Sequence, residues 1–130
     1  MILLLTACST QQNKLSGKTE TIEFYYIMWA CECANWATLA DIDKYDGDSR
    51  DELSEHCVFV EPASKSLTLP DTLGYSGDII QFTGQYYIDK GYPNNYIISE
   101  QQVDKARVFR YTSFKVIKSN HHDYIDEEIK

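Results

Sequence analysis

Cys31, Cys33 and Cys57 are the side chains of this sequence best suited to do chemistry, and His56 stands directly before Cys57. Two chemistries compete for them. Three thiolates and one imidazole make a Cys₃His set, suited to Zn²⁺ or, with soft sulfur ligands, to Cu(I). Oxidation would instead pair two of the thiols. A Cys31–Cys33 bond closes a very tight loop, whereas a bond from either of them to Cys57 joins the end of one strand to the start of a later one more easily. Either pairing leaves one thiol over, free or redox-active. The C-x-C spacing departs from the pattern of common structural zinc sites. If His56 and Cys57 share a strand, their side chains point to opposite faces.

A second constellation is aromatic. The chain holds 10 Tyr, 5 Phe and 2 Trp, and residues 86–96 read YYIDKGYPNNY. Tyrosine offers a large face and a hydroxyl at low entropic cost, so such loops bind proteins or glycans. Tyr87, Tyr92 and Tyr96, joined by Trp36 beside the C-x-C, form the candidate binding surface. The competing reading has these rings packing the core or capping the ends of a barrel.

Other groupings carry less. Asp41, Asp43 and Glu52 match the first, third and twelfth places of a calcium loop, but Asp46 occupies the sixth, where the sharp turn needs glycine. A solvated acidic surface fits better. His121, His122 and Asp123 fall in the acidic tail. No nucleophile elbow, phosphate loop or HExxH motif is present. Catalysis is therefore the weaker class. The leading expectation is a non-enzymatic binding domain, and the alternative is a thiol-based metal-binding (Zn or Cu) or redox protein using Cys31, Cys33 and Cys57.

The elements that position these residues are mainly strands. Residues 21–30 alternate with both faces apolar, so this strand is expected to be central. Residues 36–42 read as a short strand pairing back. Ser49 and Glu52 resemble a capping box, which places a short helix over 50–55. Residues 57–61 and 66–69 read as strands stopped by Pro62 and Pro70. Residues 78–88 alternate cleanly, with Gly84 marking a bulge or bend. Residues 106–117 alternate again, with Val108, Phe114 and Val116 on one side and Phe109, Tyr111 and Ile117 on the other. The expected fold is a mainly β, five- to six-stranded antiparallel barrel with one short helix. In strand count and spacing it resembles an OB barrel.

Bulk composition narrows the partners. The 130 residues allow one domain with a modest core. A net charge of −8 without a basic stripe argues against nucleic acid. It argues equally against a peripheral grip on anionic headgroups.

The first residues supply the address. MILLLTA is apolar but far shorter than the roughly 20 residues that span a bilayer, and it reads as the end of a secretory signal. Leu5-Thr6-Ala7-Cys8 resembles the lipobox of bacterial lipoproteins. That resemblance implies cleavage before Cys8, a diacylglycerol on its thiol and acylation of the new N-terminus. Several acyl chains give stable anchoring, at about 0.8 kcal/mol per buried CH₂. It also implies the bacterial cell envelope and, with Ser9 following, the outer membrane facing the periplasm, where disulfides persist. The expected organisation is a signal peptide over 1–7, the lipidated Cys8 and a flexible tether over 8–18, a β-barrel domain over 19–118 and an acidic tail over 119–130.

Overall fold

The computed structural model describes residues 14–29, 33–45, 50–94, 96 and 103–119. Cys8, Cys31, Asp46, Ser49 and the His121–Asp123 group lie outside them. Five strands form one mixed sheet: β1 (Glu20–Tyr26), β2 (Trp36–Ala37), β3 (Phe59–Pro62), β4 (Ile79–Tyr86) and β5 (Val108–Lys118). Two short helices, α1 (Leu39–Lys44) and α2 (Arg50–His56), join β2 to β3. A single 3₁₀ turn, Lys65–Leu67, lies between β3 and β4.

The sheet runs β2-β1-β4-β5-β3. The contacts β1–β2, β1–β4 and β4–β5 are antiparallel, and β3–β5 is parallel. The two outer strands then meet. Trp36 N–H donates to the Val58 carbonyl at 3.2 Å, and Val58 N–H donates back to the Trp36 carbonyl at 2.7 Å. The sheet thus curls into a half-barrel joined at one seam. Around that seam the strands follow the order 1-2-3-5-4, the OB-like arrangement of a Greek-key barrel.

Curling gives the sheet two apolar faces. Phe24, Trp36, Val58, Ile80, Phe82, Tyr86, Phe109 and Tyr111 fill the inside. Their rings meet edge-on or tilted, as between Phe24 and Phe109 at 5.7 Å and Trp36 and Phe82 at 5.4 Å. A second core lies on the outer face of β2, β3 and β5. There Ala37, Phe59, Tyr87 and Val108 are covered by Leu53 and Cys57, from α2 and its end, and by Val103 of the β4–β5 loop. Burial on both faces fits the large side chains on both sides of β3 and of the first half of β5, whereas β4 alternates between buried and half-buried positions.

β5 does not alternate from end to end. The β4–β5 register shifts between Thr83 and Gly84, so Thr83 pairs with Ser113 while Gly84 pairs with Tyr111. The extra residue, Thr112, resets the phase. Phe109, Tyr111 and Phe114 consequently all turn toward the inner core, where strict alternation would send Phe114 outward. Gly84 permits the close approach: a Cβ there would sit 2.0 Å from the Arg110 carbonyl oxygen.

Four expectations need correction. The barrel is mixed rather than wholly antiparallel, because β3 and β5 run together. There are two helices, since Thr38 caps residues 39–44 by accepting a hydrogen bond from Asp41 N–H at 3.2 Å. Of the strand expected over 66–69, residues 66 and 67 belong to the 3₁₀ turn and 68 and 69 to no regular element. Backbone contacts with the sheet begin before Thr19, although the first strand starts at Glu20: Leu15 bridges to Tyr87, and Ser16 N–H donates to the Tyr86 carbonyl at 2.8 Å. The bend at Gly84, the helix over α2 and the central place of β1 stand as read.

Candidate functional site

Cys33 and Cys57 adjoin the same outer core but are not bonded to each other. Cys33 is disulfide-bonded, and Cys57 is a free thiol, 2 % exposed. The bond from the C-x-C to Cys57, the easier one on sequence grounds, is therefore not made. Cys57 follows α2 instead of opening a strand, and its sulfur packs in the outer core with Ala34 and Leu53. Burial pushes its thiol up to about 11, partly offset by a hydrogen bond with Trp29 and reinforced by the Asp41 charge. A thiol so placed stays protonated at neutral pH and is a poor nucleophile. His56 ends α2 on the exposed side, where its ring stacks on Tyr45 at 4.5 Å. Among the described residues no group of three or more His, Cys, Asp or Glu side chains could hold a metal ion.

The aromatic surface also needs correction. Trp36 and Tyr87 are both 5 % exposed and belong to the inner and outer cores. Tyr92 and Tyr96 are half-buried, stacked on each other at 5.0 Å and tilted against Phe59. Tyr92 OH donates to the Val103 carbonyl at 2.5 Å. The tyrosines are thus mostly the means by which the β4–β5 loop is fastened to the outer face. Gly91 and Ala106 close the base of that loop by reciprocal backbone hydrogen bonds of 2.8 and 3.1 Å.

Fastening the loop creates a groove. Cys33 and Ala34 from the β1–β2 loop, Ser54 and Glu55 from α2, and Lys90 and Val103–Ala106 from the β4–β5 loop enclose about 410 Å³. Lys90 and Lys105 line it together with Glu55 and Asp104, two charges of each sign on a chain of net charge −8. Helix α2 and loop residues cover the outer face of β2, β3 and β5 and leave this groove. Cys33 of the C-x-C and Lys90 of the Tyr-rich segment therefore meet at it, whereas the buried Cys57 and the rings of Tyr87, Tyr92 and Tyr96 are not among its lining residues.

A second polar feature went unread in the sequence. Glu61 of β3 is 4 % exposed and pairs across the parallel ladder with Arg110 of β5. Its Oε2 accepts from Tyr87 OH at 2.5 Å, and its Oε1 accepts from Asn94 N–H at 2.7 Å. Arg110 Nε lies 3.8 Å from Oε2. Burial, then the Glu61 carboxylate, pushes the Tyr87 phenol up to about 12. A cue was present: Glu61 in CVFVE and Arg110 in VFRYT interrupt otherwise largely apolar stretches, as a buried pair would.

Family models, characterised proteins and solved structures give no match to this chain. No helix among the described residues is long and apolar enough to cross a membrane.

Proposed function

We propose that this chain is a lipid-anchored bacterial envelope protein whose half-barrel is a non-enzymatic docking domain for a polypeptide partner. The anchor rests on the lipobox-like Leu5-Thr6-Ala7-Cys8. The docking role rests on the groove between the β1–β2 and β4–β5 loops. Its walls alternate short apolar side chains, Ala34, Val103 and Ala106, with charges of both signs. That mixture suits a peptide, whose side chains and backbone offer both apolar and polar groups. A glycan is the weaker partner, because sugar rings favour open aromatic faces and no Tyr or Trp side chain among the described residues lines this groove. The elevated, buried Cys57 thiol and the lack of a metal-binding group among the described residues lend no support to the thiol-based alternative.

Position-specific photo-crosslinking in cells tests this reading. A photoreactive residue at Lys90 or Lys105 should give a discrete protein adduct, and one at the exposed Ser113 of β5 should not. Equal adducts from all three positions, or none from the groove, would count against it.

A further inference from the structure

We propose that Arg110 is the centre of a second binding site, one that takes the carboxylate of a small ligand. The site lies on the outer face of β3 and β5, apart from the docking groove. Two cavities meet at this side chain. One, of about 240 Å³, is lined by Glu61, Ser64, Lys65, Thr68, Asn94 and Arg110, together with Pro62 and Ala63. The other, of about 210 Å³, shares Ala63 and Arg110 and adds Gln85 and Thr112.

Arg110 is held there without being used up. Its side chain is 38 % exposed, whereas that of its partner Glu61 is 5 % exposed. Both Glu61 oxygens are already engaged by Tyr87 and Asn94. The Arg110 Nε–Glu61 separation of 3.8 Å is an ion pair and too long for a hydrogen bond. Nε is buried and has no hydrogen-bond partner among the described residues. Nη2 donates to the Ala63 carbonyl at 3.3 Å, a long bond. A guanidinium carries five N–H donors in a rigid fork. Glu61 therefore fixes the fork in place while leaving donors for another acceptor.

The acceptor that fits is a carboxylate. Two coplanar oxygens match a guanidinium edge and give two parallel charge-assisted hydrogen bonds. Lys65 adds a second positive charge, and the hydroxyls of Ser64 and Thr68 add polar contacts on the same cavity. Arg110 and Lys65 against Glu61 leave a surplus of one positive charge, which selects a monoanion; the nearby Glu61 charge disfavours a dianion.

The test is an NMR titration of the ¹⁵N-labelled full chain with sodium acetate, against sodium chloride at equal ionic strength and against inorganic phosphate. Acetate should shift the Arg110 Nε–H and the amides of Lys65 and Asn94 saturably, and chloride should not. Arg110→Lys keeps the charge beside Glu61 but removes the fork, and should weaken acetate binding about tenfold. Lys65→Ala, at an exposed position, should weaken it about threefold. This second variant decides the matter if Arg110→Lys does not fold. Equal shifts with chloride, or undiminished binding in the folded variants, would overturn the site. Tighter binding of phosphate than of acetate would overturn the choice of a carboxylate.

Discussion

Trp36 and Val58 exchange two backbone hydrogen bonds, and this one bridge joins the outer strands of the sheet. It sets β2 beside β3, so Ala34 and Ala37 share the outer core with Cys57 and Phe59. On the inner side the Trp36 ring meets Tyr26 at 5.0 Å and Phe82 at 5.4 Å, both edge-on. Trp36→Ala keeps the backbone bridge but empties the inner side of the seam. It should cost about 3–5 kcal/mol, read as a lowered urea midpoint with unchanged slope.

Gly84→Ala tests the bend in β4. The added methyl would meet the Arg110 carbonyl oxygen at 2.0 Å and the Tyr111 Cα at 2.7 Å, both backbone atoms that cannot rotate away. The loss should be at least about 3 kcal/mol, at or above the upper end for overpacked cores. Far-ultraviolet circular dichroism through a thermal melt would show it. A melt like that of the parent chain would mean that β5 runs without the close approach.

Tyr87→Phe removes the donor that Glu61 Oε2 receives at 2.5 Å while keeping the ring in the outer core. The carboxylate, 4 % exposed, loses a partner that water cannot easily replace. A loss of about 1–3 kcal/mol follows, measured by denaturant unfolding at neutral pH.

The sequence told more about the strands than about what lies between them. β1 and β4 were legible because their apolar patterns run for a full element, β5 only as far as the phase reset at Thr112, and the helix before Cys57 through the capping-box spacing of Ser49 and Glu52. α1 was not, because Leu39, Ile42 and Tyr45 mark its helical spacing inside a stretch already read as strand and acidic surface. The parallel β3–β5 contact was hidden because it depends on how two distant strands close a barrel. At the site, the C-x-C and Tyr-rich segments were found, but side-chain type alone could not tell a ring that binds from one that fastens a loop. Tyr87 is the clearest case: its hydroxyl serves Glu61, a partner 26 residues away.

Alkaline pH should weaken the fold. Cys57, whose ordinary value is 9.0, is pushed up to about 11 by burial, and Tyr111 is pushed from 10.0 to about 12 for the same reason. Tyr87 rises to about 12 through burial and the Glu61 charge. Each group holds its proton more tightly when folded. Their stabilising effect is thus full below the ordinary values and is lost as pH rises through the raised ones. Urea midpoints should be level up to pH 9 and fall from there toward pH 12. In Cys57→Ala the fall between pH 9 and 11 should be shallower, and an unchanged slope would remove Cys57 from the account.

The most direct measurement is the intact mass of the chain recovered from the membranes of bacterial cells that express it. A chain beginning at Cys8, carrying a diacylglycerol thioether and an acylated amino group, is the result expected of a lipid-anchored envelope protein. An unmodified Cys8, still preceded by Met1–Ala7 and recovered from the soluble fraction, would contradict it.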